Sequence, residues 1–222
     1  MSKTSETTWV LVSALVVSLG LASRVEAQTR AVRPYLTVQG GGNVLLPTDV
    51  GGTLGEGDAR FTAGWDAGGA IGLRFFERWR LEAELTYRTT KLRDANVPEL
   101  GAFGAGGFSS LSIAVNALAQ FQPFERDQVR MFVGFGAVWI QEIDVDFHRE
   151  GEAEVSFEDF SRPGFQSIVG LRYQPVERFF LEGSVRVLRA FDVDLTSSTR
   201  EGERLDLGYD VVALTLGVGV EI

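Results

Sequence analysis

The chain has 222 residues, 45% of them hydrophobic, and a formal net charge of −9. A chain of this length makes one domain, and its acidic balance argues against a nucleic acid as partner, because phosphate binding needs basic patches. The absence of cysteine excludes disulfides, thiol catalysis and the lipid-modified cysteine of a lipoprotein.

At the amino terminus Lys3 precedes an apolar run from Trp9 to Leu21. It is far short of the roughly 20 residues that a spanning helix needs, which disfavours an uncleaved anchor, and it fits the hydrophobic region of a secretory signal. Val25-Glu26-Ala27 puts small or modest residues at the −3 and −1 positions, so cleavage is expected after Ala27; Gly20-Leu21-Ala22 is a second candidate. Residues 1–27 are therefore expected to be a signal peptide and residues 28–222 the mature domain.

From there the chain alternates. A first strand starts near Tyr35 and runs into Gly40-Gly41-Gly42. A second, from about Phe61 to Phe75, sets Trp65, Ile71 and Leu73 on one face and Asp66, Gly68, Gly72 and Arg74 on the other. The third is the clearest, with Leu81, Ala83, Leu85 and Tyr87 against Arg80, Glu82, Glu84, Thr86 and Arg88. The fourth gives Leu111, Ile113 and Val115 against Ser110, Ser112 and Asn116; the fifth gives Met131, Val133, Phe135 and Trp139 against Arg130, Phe132, Gly134 and Gly136. A sixth runs from Phe165 to Tyr173 with Gln166, Gly170 and Arg172 inward, and a seventh starts at Phe179 with Glu182, Ser184 and Arg186 inward. The eighth is the terminal run Leu214 to Ile222. A period of two means a strand with two unlike faces.

Three segments punctuate these strands: Phe75-Phe76-Glu77-Arg78-Trp79, Pro123-Phe124-Glu125-Arg126-Asp127 and Pro175-Val176-Glu177-Arg178-Phe179. They recur about every 50 residues, the interval at which internal repeats are sought, and each lies between two alternating stretches. They are read as the short turns of successive hairpins. Three such turns, with both termini on the same side, imply eight strands and four longer loops at the other end.

The polar faces carry Arg74, Arg80, Glu82, Glu84, Arg88, Arg130, Arg172, Glu182, Arg186 and Glu221. The lumen of an eight-stranded barrel is just wide enough for side chains. The Leu, Phe, Val and Trp of the other face would overfill it, whereas charges of both signs can pair there and leave the apolar residues to lipid. The expected fold is all-β: an eight-stranded antiparallel up-and-down transmembrane barrel, with an interior network of Arg–Glu pairs.

The terminal strand also resembles the carboxyl-terminal signal read by barrel-assembly machinery, in its polar-x-Gly-x-x-apolar-x-apolar spacing of Thr215, Gly217, Val220 and Ile222; Ile222 stands where Phe or Trp is usual. On Ala70 to Phe75, Arg80 to Leu85, Ser112 to Leu118 and this strand, the chain resembles the outer-membrane protein A and X type of β-barrel domain. The resemblance spans about Arg33 to Ile222. It implies a Gram-negative outer-membrane location with periplasmic termini, contact with outer-membrane lipid and lipopolysaccharide, and handling by periplasmic chaperones and the assembly machinery.

Chemistry-bearing constellations are sparse. A third outer loop, about residues 140–163, holds Glu142, Asp144, Asp146, Glu150, Glu152, Glu154, Glu158 and Asp159. Its Ile143-Asp144-Val145-Asp146-Phe147 is echoed by Phe191-Asp192-Val193-Asp194-Leu195 in the fourth. Continued alternation suggests strands that extend past the membrane with the Asp side chains facing the barrel mouth. Weak divalent-cation binding is one reading, since hard cations favour oxygen ligands; a solvated acidic rim is the plainer one. His148, the only histidine, lies in His148-Arg149-Glu150. Lipid A deacylases of this barrel type carry His-x-Ser, so a loop histidine in water is expected instead. No catalytic residue, cofactor or metal centre is expected. The function expected is structural, membrane-stabilising or surface-interactive, with a narrow pore and a lipid A-modifying enzyme as alternatives.

Overall fold

The period-two stretches fold as strands in the structure, a computed structural model that describes residues 32–52, 57–76, 78–97, 101–103, 105–123, 128–148, 155–191, 193–197 and 204–222. The expected signal peptide, with both of its cleavage candidates, lies outside the described residues. Among them the elements are β1 (Val32–Leu45), β2 (Thr48–Gly52), β3 (Gly57–Phe61), β4 (Gly64–Phe75), β5 (Trp79–Val97), β6 (Gly101–Phe103), β7 (Ala105–Phe121), β8 (Val129–His148), β9 (Val155–Tyr173), β10 (Phe179–Ala190), β11 (Val193–Ser197), β12 (Arg204–Leu207) and β13 (Asp210–Glu221).

Eight of these, β1, β4, β5, β7, β8, β9, β10 and β13, form an antiparallel wall in chain order. The last pairs with the first, from Tyr35↔Glu221 to Leu45↔Val211, and closes the cylinder. Closure leaves no unpaired edge, the condition for β-structure to cross a bilayer. The short turns and the carboxyl terminus lie at one end, called here the terminal end. At the other, the long-loop end, β5, β7, β8 and β9 continue and β2, β3, β11 and β12 fill in a second closed ring, in the order β2-β3-β5-β7-β8-β9-β11-β12 and back to β2. The molecule is thus two stacked tiers of eight strands.

The tiers face their surroundings in opposite ways. In the lower tier, next to the termini, Val38, Phe135 and Leu216 stand 73%, 71% and 69% exposed on the outside while Arg80, Glu84 and Arg172 are buried inside. In the upper tier Ile143, Val145, Phe157 and Leu195 are buried inside and Glu142 is outside. Because the side-chain period is two, one extra residue exchanges the faces of a strand. On β8 that residue is Gln141: Ser112 pairs with Ile140, but Leu111 pairs with Glu142. On β9 the exchange falls at Ser161, whose φ of 65° breaks the extended run. Between β10 and β11 it falls at the strand break, with Leu188 and Ala190 inward before and Val193 and Leu195 inward after. Likewise Ala59 of β3 and Asp66 of β4 are both buried on opposite parities across the break at Thr62 and Ala63.

This arrangement corrects four expectations. The fifth strand extends as expected, β8 running on to His148, but the sixth does so as well, since β9 starts at Val155, ten residues before Phe165. His148 is the last residue of β8, paired with Ala105, rather than a loop residue. The second barrel strand starts at Gly64, and Phe61 belongs to β3. The Asp side chains of Ile143-Asp144-Val145-Asp146 do not face the mouth: Ile143 and Val145 take the inside, because Gln141 has exchanged the faces.

Trp79 and Tyr87, both outward on β5, mark the apolar belt. Eight residues of strand span about 26 Å; barrel tilt brings this to about 20 Å, close to the roughly 25 Å band of outer-membrane barrels. Trp65, packed 5.7 Å from Tyr87, and Trp139 continue the upper girdle; Phe121, Tyr173 and Phe179 continue the lower one.

Candidate functional site: the barrel lumen

The lumen has three zones. At the terminal end, inward side chains from every wall strand except β7 meet. Tyr35 of β1 lies between two guanidinium groups, with Arg80 5.0 Å and Arg172 4.9 Å from its ring. Arg80 also lies 5.0 Å from the ring of Phe132, and Arg172 lies 3.6 Å from that of Phe180. Phe132, Arg80, Tyr35, Arg172 and Phe180 thus form one cluster in which the cations lie over rings and the Tyr35 and Phe180 rings also meet edge to face at 5.8 Å. Carboxylates complete it. Glu182 accepts from Arg80 at 2.7 Å and from Arg172 at 2.5 Å. Glu82 pairs with Arg80 and accepts the Tyr35 hydroxyl at 2.6 Å. Glu221 accepts from Arg74 at 2.9 Å and from Arg172 at 3.4 Å. Buried charges persist only when paired and hydrogen-bonded, and these carboxylates each serve at least one arginine.

Three glycines make room for the rings. Tyr35 pairs across strands with Gly72, Phe132 with Gly170, and Phe180 with Gly219. A Cβ at any of the three would run into the ring of its partner. Each ring therefore packs against the backbone of the neighbouring strand.

In the middle zone Glu84 is the hub. It pairs with Arg186 and accepts from Thr86 at 2.7 Å and Asn116 at 2.9 Å. Arg186 also donates to Gln39 at 2.8 Å, and Gln166 donates to Asn116 at 2.7 Å. Arg88 donates to Ser112 at 2.7 Å. In the upper zone one apolar cluster fills the lumen, with Leu45, Leu92, Phe108, Ile143, Phe157 and Leu195 among its members. It draws on every wall strand except β4. Tyr209 forms its floor, stacked 5.3 Å from Phe108 with its hydroxyl 2.8 Å from that of Ser110.

Of the ten charged positions singled out in the sequence, the structure brings Arg74, Arg80, Glu82, Arg172, Glu182 and Glu221 into the terminal-end cluster and Glu84 and Arg186 into the middle one. Arg88 is buried above them, and Arg130 lines a cavity of about 540 Å³ at the terminal mouth with Arg78, Gln120, Phe121 and Gln122. Of the terminal-strand positions, Thr215 is buried inward, Gly217 shares its face, and Val220 and Ile222 point out, Ile222 holding the Pro34 carbonyl through its N–H at 2.9 Å. The acids Glu142, Asp144, Asp146 and Glu158 lie on the outer wall of the upper tier, with Asp144 directly opposite Glu158. Burial and then the carboxylates of Glu142, Glu158 and Asp146 push the Asp144 carboxyl above its ordinary range. Glu150, Glu152 and Glu154 lie outside the described residues, as does Asp192. Among the described residues no group of three or more potential metal ligands gathers.

Sequence reasoning missed two members of the terminal-end cluster, Tyr35 and Phe180. Both sit one strand over from an inward glycine, which is the signal that could have found them. It also missed the apolar upper zone, because alternation alone does not reveal an exchange of faces.

A family model described as the outer membrane protein beta-barrel domain matches residues 12–221. Similar solved structures include OprG of Pseudomonas aeruginosa, at 14% identity and TM-score 0.61, over 85% of this chain and 95% of that one. A major outer membrane protein from Thermus thermophilus aligns at 11% identity and TM-score 0.53, over 85% and 99%. Neisserial surface protein A aligns at 15% identity and TM-score 0.50, over 85% and 97%. At such identities the likeness is one of fold. No curated protein matches the chain.

Proposed function

We propose a structural and surface-interaction role for this chain, which belongs to the outer membrane protein beta-barrel domain family and is an outer-membrane β-barrel. The observation that carries the reading is the occupied lumen: paired charges and rings fill its terminal end and an apolar cluster fills its upper end. Such a barrel anchors itself in lipid and holds its long-loop end in place without offering a path for solutes. The termini then face the periplasm and the upper tier faces the cell exterior, which puts the acidic outer wall of β8 and β9 among the head groups of lipopolysaccharide. Lipid and lipopolysaccharide are the partners this surface fits. Chaperones and the assembly machinery would meet Thr215, Gly217, Val220 and Ile222 during insertion, before Thr215 turns inward.

Conductance tests the role. Refolded protein in planar bilayers is expected to show no steady single-channel steps. Steady steps would favour the narrow pore instead. Orientation is tested separately, by protease treatment of intact cells: an epitope placed in the upper-tier loops is expected to be lost and one placed at Ile222 to be kept.

A further inference from the structure

The terminal mouth holds a cavity that the charged cluster of the lumen does not use. Its volume of about 540 Å³ is that of a small-ligand pocket, and it lies where β7 ends, β8 begins and the turn between β4 and β5 comes near. Gln120 of β7 lines it, is buried, and has no hydrogen-bond partner for either its amide nitrogen or its amide oxygen. Buried side-chain amides are ordinarily satisfied, so this one marks a place for a ligand that both accepts and donates. Two guanidinium groups flank it. The Gln120 N–H donates to the Arg78 carbonyl at 2.6 Å and holds that turn beside β7, and Arg130 lies one step beyond the Phe121–Met131 pair. Among the described residues no carboxylate lines the cavity. The mouth as a whole is rich in positive charge: Arg130 stands directly opposite Arg172, and Arg74 opposite both Arg33 and Arg80. Like charges so placed repel. Glu82, Glu182 and Glu221 are already taken up by Arg33, Arg74, Arg80 and Arg172, so an added anion is favoured. The cavity also reaches the lipid wall, because Phe121 in its lining points outward in the lower girdle. Above Phe121, β7 offers only Ala117 and Ala119 between Trp79 and Leu81 of β5 and Val133 and Phe135 of β8, which makes a furrow with a floor of small residues.

We propose that this cavity binds the head group of an anionic phospholipid in the periplasmic leaflet, and that phosphatidylglycerol is the head-group chemistry it fits. Arg78 and Arg130 donate to the phosphodiester oxygens, a contact that planar guanidinium groups suit. Gln120 Nε2 donates to the same phosphate, and Gln120 Oε1 accepts a glycerol hydroxyl. A choline or ethanolamine head group carries a cation instead and meets two arginines. One acyl chain lies along the Ala117–Ala119 furrow. The leaflet rests on the orientation proposed above; the lipid chemistry does not.

The test is which lipid sits beside Trp79. Trp9→Phe, Trp65→Phe and Trp139→Phe leave Trp79 as the only tryptophan. This chain is refolded into phosphatidylcholine bilayers holding a fixed fraction of phosphatidylglycerol, with brominated acyl chains on one lipid or the other, and is shown to be folded by heat-modifiable gel migration. Quenching is expected to report at least about fivefold enrichment of phosphatidylglycerol at Trp79, the factor that one arginine contributes at an anionic surface. The overall field of a chain with net charge −9 works against such enrichment. Arg78→Gln with Arg130→Gln, and separately Gln120→Glu, are expected to abolish it, whereas excess inorganic phosphate is expected to leave it. A sister chain with Trp9→Phe, Trp79→Phe and Trp139→Phe, which keeps Trp65 at the upper girdle, is expected to show none. Equal quenching by the two lipids at Trp79, enrichment that survives in the Arg78 and Arg130 or the Gln120 variant, or the same enrichment at Trp65 would overturn the site. Loss of enrichment to inorganic phosphate would assign the cavity to a soluble anion and overturn the lipid reading. Orientation fails separately: enrichment at Trp79 in a barrel whose Ile222 epitope is lost from intact cells would overturn the leaflet and leave the head-group site standing.

Discussion

Glu182 shows how much of the lumen rests on single side chains. It serves Arg80 and Arg172 together, and both guanidinium groups are buried. Removing one partner of a buried pair costs about 3–5 kcal/mol, because the other charge is left uncompensated. Glu182→Gln is therefore expected to lower the unfolding free energy of the refolded barrel by that order, read from a urea titration. Gly72→Ala is expected to cost about 1–3 kcal/mol by overpacking, because its Cβ meets the Tyr35 ring, and Tyr35→Leu in the same chain should recover part of the loss. On the outer wall, Asp144 offers a pH-dependent test. Its carboxyl is raised, first by burial and then by neighbouring acids, so the folded state holds the proton more tightly than the unfolded one and ionisation costs stability. The stability linked to the proton is full below the unfolded value and lost as pH rises through the raised folded value. Asp144→Asn should thus be more stable than the parent at neutral pH, and the gap should close in acid. Among individual residues, the charged half of each alternating strand was legible in the sequence. Tyr35 and Phe180 were not, since an aromatic residue on a polar face makes sense only beside the glycine of the next strand.

At the level of elements, the alternation identified all eight wall strands; Arg78 and Glu177-Arg178 lie in terminal-end connections, whereas Glu77 and Phe124 to Asp127 of the repeated segments lie outside the described residues. What the alternation did not show is where a strand changes sides. Gln141, Ser161 and the breaks after Phe61 and Ala190 lie between stretches that are each regular by themselves. The sequence on either side reads as one pattern, and only the pairing partner reveals the shift of one residue. The acidic repeat was placed at the mouth for this reason, although its apolar partners fill the interior. Deleting Gln141 should give β8 an uninterrupted ladder with the same partners, Ser112 with Ile140 and Leu111 with Glu142, so that Ile143 and Val145 stay inward. Limited proteolysis of that variant in detergent is expected to leave both tiers protected. Cutting confined to the upper tier would mean that the extra residue is itself needed to shape that tier. The turn between β4 and β5 carries a smaller strain: Phe76, with φ 47°, occupies a region costly by about 1–2 kcal/mol for residues other than glycine. Phe76→Gly should raise stability by up to that amount, read from the urea midpoint. A loss would mean that the exposed ring anchors in lipid.

For the molecule as a whole, the two tiers are one solution to two solvents. Below the bulges the greasy residues meet acyl chains and the charges neutralise one another in the lumen. Above them the strands turn the same alternation inside out, and a dry core replaces the polar one as water replaces lipid outside. Composition concealed this, because a barrel that is oily outside in one half and oily inside in the other has the average hydrophobicity of a soluble protein. The inversion is open to direct measurement because the chain has no cysteine, so single cysteines placed along β8 can each carry one spin label. In reconstituted vesicles, labels at Val133, Phe135 and Trp139 should be accessible to oxygen dissolved in lipid. Labels at Glu142, Asp144 and Asp146 should be accessible to a water-soluble relaxation agent, and those at Ile143 and Val145 to neither. Accessibility to lipid that continued on the odd positions through 143 and 145 would contradict the inversion and with it the division of the barrel into a membrane tier and a water tier.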